Sequence, residues 1–220
     1  MKGFLRRLRG VLYPPNVTCL CCGEGSGGQP LCDACRLQMD ISRLDREAED
    51  GTWYTWAHED VPRQLVLLLK HSGMAQAAEV LADGMMGTVQ LMDLPKDTIV
   101  TWVTMPDKRR RKRGIDHGRV LAQCVAHRMN VPCLKLLIRG DESRHTQEGL
   151  HREQRLRNLE GVFDAIPMNG ENVLLVDDVH TTGATALFCT RALLKSGARS
   201  VWVLTATGAK EDKQEENTHA

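Results

Sequence analysis

One run of sequence, residues 172–185, constrains this chain more than any other. After Asn172, the four apolar residues Val173 to Val176 suit a β-strand buried on both faces. Two acids, Asp177 and Asp178, follow at the C-terminal end of that strand. Val179 and His180 then lead into Thr181-Thr182-Gly183-Ala184-Thr185, which opens a helix over residues 184–196 closed by Gly197. Strand, turn and helix in this order put the turn where open α/β sheets bind ligands. The helix start offers unpaired backbone N–H groups and the positive end of a dipole. Gly183 lets the main chain approach an anion with no Cβ between them, and the threonine hydroxyls add donors. Such a loop suits a phosphate. The two carboxylates would repel one; they suit sugar hydroxyls, or a Mg²⁺ shared with the substrate. Phosphate beside hydroxyls describes a ribose 5-phosphate. No G-x-x-x-x-G-K-[ST] loop occurs, and no G-x-G-x-x-G follows a strand. His180 reads as a spacer within the run, with a general base as the competing role.

The rest of the chain alternates in the same way. Residues 53–57 and 98–104 read as strands, and 62–71 and 75–91 as helices with Gly73 between them. A helix around 118–129 precedes strands at 134–138 and 201–206, with polar residues 139–158 as loop and a short helix. This order predicts an α/β fold with a mainly parallel sheet covered on both faces. The length of 220 residues holds one such domain, at residues 50–207, and a small appendage. Aromatics make up only 4%, so Trp53, Tyr54, Trp56 and Trp102 read as core rather than as stacking platforms for bases.

Residues 1–15 carry an amphipathic helix over 3–12, with Phe4, Leu5, Leu8, Val11 and Leu12 on one face and Pro14-Pro15 as the stop. It reads as docked on the body of the protein, against a membrane-surface or nucleic-acid role. Arg6, Arg7 and Arg9 break any continuous secretory h-region, and no run reaches the length of a membrane span. Residues 208–220 hold two basic and four acidic residues and read as a disordered acidic tail.

Of eight cysteines, five crowd into residues 19–35, while Cys124, Cys133 and Cys189 lie singly in periodic segments. Cys19-x-x-Cys22 and Cys32-x-x-Cys35 form two knuckles within residues 16–40, and Gly23 allows the first to turn. Four thiolates at this spacing suit a structural Zn²⁺. A redox C-x-x-C is the alternative, and Cys21 is an extra thiol without a clear part. The remaining thiols read as buried and free, in a reducing cytoplasm.

The formal net charge of +1 makes the chain no general nucleic-acid glue, but its charge is uneven. Six consecutive cations occupy 108–113 within the loop Met105-Pro106-Asp107-Lys108-Arg109-Arg110-Arg111-Lys112-Arg113-Gly114, just after the strand at 98–104. They suit the screening of a diphosphate at a transition state. A solvated charged turn and a grip on single-stranded nucleic acid are the competing readings.

The run 172–185 resembles the motif of type I phosphoribosyltransferases that binds phosphoribosyl pyrophosphate (PRPP). That resemblance implies ribose hydroxyl contacts from Asp177 and Asp178, a 5′-phosphate held by Thr181, Thr182, Gly183, Ala184 and Thr185, and bound Mg²⁺. It also makes Pro106, Asp107, Lys108, Arg113 and Gly114 the pyrophosphate and flexible loop. With a four-cysteine knuckle ahead of it, the chain resembles the ComF family over residues 10–207. Leu69-Lys70-His71-x-Gly73 is similar to that family's L-K-[YF]-x-G. Gln147-x-x-Leu150, Arg155-x-x-Asn158 and Phe163 are similar to its Q-x-x-L…R-x-x-N…F pattern. Thr104-Met105-Pro106 departs from its P-V-P, and Arg113-Gly114-Ile115-Asp116-His117 from its R-G-[FY]-N-Q. The resemblance implies a PRPP-binding accessory factor in DNA uptake during natural transformation. Its implied partners are single-stranded DNA and a helicase-like ATPase, in the cytoplasm or peripheral at the inner face of the membrane. The alternative is an active transferase that moves ribose 5-phosphate from PRPP to a nitrogenous base or other small acceptor.

Overall fold

The computed structural model describes residues 18–72, 74–105, 115–140 and 162–209. The predicted N-terminal helix, the basic loop 106–114, the Gln147-to-Asn158 pattern and residues 210–220 lie outside the described residues, as does Gly73.

In chain order the described elements are α1 (Asp33–Ile41), β1 (Arg43–Glu47), β2 (Thr52–Ala57), α2 (Asp60–Ser72), α3 (Ala75–Leu91), β3 (Ile99–Trp102), α4 (His117–Met129), β4 (Leu137–Arg139), β5 (Phe163–Ala165), β6 (Asn172–His180), α5 (Ala184–Lys195) and β7 (Ser200–Gly208). A five-stranded sheet runs β1-β2-β7-β6-β3, and β4 pairs with β5 in a separate antiparallel ribbon. Every pair in the large sheet is parallel except β1 with β2. This is the α/β class with a mainly parallel sheet that the sequence predicted.

Side-chain alternation along β6 separates two cores. Leu174 and Val176 face α2, α3 and α4, where Leu65, Leu69, Leu81, Met85, Leu121 and Val125 are fully buried. Val173 and Leu175 face α5 and the β4–β5 ribbon, against Cys189, Leu193, Leu137 and Phe163. Tyr54, Trp56 and Trp102 are buried as expected, and Trp53 packs against the first core. Leu31, Cys35 and Met39 join that same core, so the cysteine module shares the main hydrophobic interior.

Three readings need correction. The strand read at 172–176 continues through both acids to His180, because β7 pairs with it from Asn172↔Ser200 to His180↔Gly208. Residues 33–47, for which the sequence predicts no helix or strand, contain α1 and β1. Arg43 holds β1 against α3 by donating to the Gly84 carbonyl at 3.0 Å and standing over the Trp56 ring. The strand read at 134–138 begins only at Leu137; upstream, Cys133 bridges Val100 at the sheet edge.

Candidate functional site

The alternation that divides the cores also divides the acid pair. Asp178 follows Leu174 and Val176 onto the α2/α4 face, and Asp177 follows Val173 and Leu175 onto the α5 face. Asp178 is 5% exposed. The Lys70 ammonium, from α2, lies 2.9 Å from its Oδ1, and His117 Nε2, at the start of α4, lies 3.0 Å from its Oδ2. Burial alone would raise the Asp178 pKa. The bond from His117 and the charge of Lys70 outweigh it, so the carboxyl sits below its ordinary value. Asp177 goes the other way. Burial, then repulsion from Asp178, lifts its pKa from 3.8 to about 7, against a 2.9 Å bond from the Asp178 N–H to its Oδ1.

Further polar groups extend this edge. Thr207 Oγ1, on β7, donates to the Asp178 carbonyl at 3.2 Å and lies 2.8 Å from His58 Nδ1. The Thr207 proton is thereby spent, so His58 Nδ1 is the donor of that pair. Burial lowers the His58 pKa, and Lys70 and Arg63 lower it further. Asp116 caps α4 by accepting from the Arg119 N–H at 3.2 Å, and it also accepts from Trp102 Nε1. The two departures from the R-G-[FY]-N-Q pattern, Asp116 and His117, thus have structural work: one starts the helix and the other meets the acid.

At the start of α5, Gly183 has φ +69° and caps the helix. A Cβ there would meet Asp50 Oδ2 at 1.8 Å, so glycine is required twice, by conformation and by space. Asp50 comes from the β1–β2 turn. It accepts from the Thr52 N–H at 3.0 Å and lies 2.9 Å from His180 Nε2, while the His180 ring stacks on Tyr54. Burial would raise the Asp50 pKa, but His180 and Thr52 bring it below its ordinary value. A cavity of about 290 Å³ opens here, lined by Asp50, Thr52, Thr182, Gly183, Thr190 and Val203 among others.

The structure therefore brings Asp177, Asp178, Thr181, Thr182, Gly183, Ala184 and Thr185 to one sheet edge. Pro106, Asp107, Lys108, Arg113 and Gly114 lie outside the described residues. Their flanking elements β3 and α4 open onto that same edge. Sequence reasoning assigned no role to Lys70, His117 or Asp50. The L-K-H-x-G match was the available signal for Lys70, and nothing local marked Asp50.

The four cysteines form a second candidate site. The sulfurs of Cys19, Cys22, Cys32 and Cys35 all lie within 4.8 Å of one another, with Cys22 and Cys32 at 3.5 Å. A tetrahedron with Zn–S bonds of about 2.3 Å needs sulfur separations of this order. Burial raises the Cys19 pKa, but backbone N–H groups of Cys22, Cys32 and Cys21 outweigh it and bring the thiol down to about 6. Such a thiolate is ready for a soft metal, and the four residues fit a structural zinc. Cys21 stands outside the group, its pKa pushed up to about 12 by burial and by the neighbouring thiols. Cys124, Cys133 and Cys189 are free, and Cys189 is fully buried.

No family model matches the chain. It is 24% identical over 184 residues to the competence protein ComFC of Bacillus subtilis (strain 168), covering 81% of this chain and 72% of that protein. It is 32% identical over 152 residues to the DNA utilization protein YhgH of Salmonella typhimurium (strain LT2), covering 65% of this chain and 66% of the relative. This chain belongs to the ComF family. The ComF match extends over less than two thirds of its YhgH relatives, as little as 52% of the Escherichia coli (strain K12) protein. Among solved structures, adenine phosphoribosyltransferase from Leishmania tarentolae overlays with a TM-score of 0.38 at 14% identity, over 64% of this chain and 74% of that one. An overlay that loose carries no argument about the site. Among the described residues, no helix is long and apolar enough to cross a membrane.

Proposed function

We propose that this ComF-family chain binds PRPP at the junction of β6 and α5 and serves DNA uptake and utilisation, the activities for which its relatives are named. One observation carries the binding half of this reading. A pair of acids on the central strand stands beside a Thr-Thr-Gly-Ala-Thr turn whose glycine starts a helix at a left-handed φ. The backbone amides at 181–185 and the threonine hydroxyls would hold the 5′-phosphate. Asp177, whose Oδ1 accepts from the Asp178 N–H, would meet the ribose hydroxyls. Asp178 would meet them only by sharing its oxygens with Lys70 and His117. Magnesium bound with PRPP would screen the diphosphate, and the acid pair would offer it carboxylate oxygens. By the family resemblance Pro106, Asp107, Lys108, Arg113 and Gly114 would meet the diphosphate, and the zinc module would dock the partner, single-stranded DNA or a helicase-like ATPase.

The alternative is transfer of ribose 5-phosphate to a nitrogenous base or other small acceptor. The same edge favours it, because the Lys70 ammonium beside Asp178 could stabilise charge leaving C1. Two assays on the purified full chain separate the readings. Diphosphate release from PRPP with one of a panel of bases supports transfer. Salt-dependent binding of single-stranded DNA without turnover supports the accessory role. Asp177→Asn is expected to abolish PRPP binding with fold and zinc content intact; unchanged PRPP affinity in that variant would overturn the site.

A further inference from the structure

The turn that suits a phosphate has an acid set against it. A Cβ built on Gly183 would meet Asp50 Oδ2 at 1.8 Å, Asp50 Cγ at 3.0 Å and His180 Nε2 at 3.3 Å. The Asp50 carboxylate therefore rests on the residue that starts α5. Acids at helix starts ordinarily serve as caps, as Asp116 does for α4 by accepting from the Arg119 N–H. Asp50 does not, for α5 takes no side-chain cap. Its Oδ1 accepts from the Thr52 N–H at 3.0 Å, and its Oδ2 lies 2.9 Å from His180 Nε2.

This acid is charged and held from two sides. Burial would raise its pKa, but His180 and Thr52 bring it below its ordinary value. The β1–β2 turn carries Asp50 and is closed by two main-chain bonds, Gly51 N–H to the Ala48 carbonyl and Ala48 N–H to the Thr52 carbonyl, each 2.9 Å. His180 is stacked on Tyr54, with ring centroids 6.1 Å apart and planes within 7°. The part of His180 that residue type left open is thereby filled, since its Nε2 donates to Asp50. A negative charge at a helix start takes up the favourable potential that a phosphate on the same amides needs. Two anions so placed repel each other. The cavity of about 290 Å³ beside the pair, walled by Asp50, Thr52, Thr182 and Thr190 among others, leaves room for them to part.

We propose that Asp50, fastened by His180, is an internal competitor of the ligand's monophosphate, so that Asp50 and the phosphate exclude each other at the α5 start. This rests on the PRPP reading above and adds a threshold to it. The loop then binds a sugar phosphate more weakly than its own amides and hydroxyls allow, and the β1–β2 turn sets by how much.

Ribose 5-phosphate, titrated by calorimetry into the full-length, zinc-loaded protein, tests this. Asp50→Ala is expected to bind it about threefold to tenfold more tightly than wild type, and Asp50→Glu, which returns the charge, to stay within about twofold of wild type. The ratio of the Asp50→Ala and wild-type affinities is expected to shrink in about 1 M salt, where charge repulsion is screened. A purely structural Asp50 predicts the opposite order, with Asp50→Ala the weaker binder. Asp50→Asn, which keeps the shape and an acceptor for the Thr52 N–H, serves if Asp50→Ala does not fold. Affinity in Asp50→Ala at or below wild type, Asp50→Glu as tight as Asp50→Ala, or a ratio that salt leaves unchanged refutes the competition while the monophosphate site stands. Failure of both wild type and Asp50→Ala to bind ribose 5-phosphate overturns the competition together with the reading beneath it.

Discussion

Asp177 lies where function and stability oppose each other, and its replacement by asparagine measures that conflict. Its pKa in the folded protein is raised from 3.8 to about 7, first by burial and then by Asp178. A raised acid binds its proton more tightly folded than unfolded. The folded state therefore loses stability as pH climbs from about 4 to about 7, and the full penalty stands above pH 7. A gap of about 3 pH units at about 1.36 kcal/mol each gives a ceiling of about 4 kcal/mol. Asp177 keeps part of its surface in water and its neighbour shares the titration, which reduces the penalty to about 1–2 kcal/mol. Asparagine keeps the shape and has no charge to bury. Asp177→Asn is thus expected to melt about 2–8 °C above wild type at pH 8, with the difference closing toward pH 4. Thermal melts of both proteins across pH 4–8 read this, since titrations away from the acid pair cancel in the difference. Curves that stay parallel, or a variant less stable at pH 8, would refute the buried-acid account.

The other predictions address separate parts of the molecule. Asp50→Asn removes a negative charge from the α5 start and is expected to tighten ribose 5-phosphate binding several-fold by calorimetry, with the fold unchanged. Gly183→Ala places a Cβ 1.8 Å from Asp50 Oδ2 at φ +69°; it should cost about 1–2 kcal/mol in melting experiments and weaken the same ligand. Cys32→Ser leaves three thiolates and is expected to release zinc, read by metal analysis, and to expose Leu31 and Met39 to limited proteolysis. Gly84→Ala sets a methyl group 2.3 Å from the Trp56 ring and should destabilise the α3–sheet contact by about 1–3 kcal/mol in denaturant unfolding.

Much of this molecule was legible from local pattern. The helix at residues 75–91 fell where its periodicity put it, and the run from Val173 to Val176 announced a central strand. Cysteine spacing marked four residues whose sulfurs the fold gathers. Pattern failed where neighbours decide. The sequence Arg43–Glu47 has no strand signature of its own, and it becomes β1 because β2 offers an edge and Arg43 finds Gly84 and Trp56. β6 outlasts its apolar residues because β7 continues beside it.

Chemistry divides along the same line. Two acids, a glycine among threonines and two cysteine pairs identify the available groups from sequence alone, since residue type and spacing are local facts. Which acid is charged is a tertiary matter. Adjacent residues of a strand face opposite sides, so Asp178 met Lys70 and His117 and lost its proton readily, while Asp177, desolvated and repelled by Asp178, keeps its own to about neutral pH. Electrostatic energy depends on distance and burial, and only the folded chain sets either for residues so far apart in sequence.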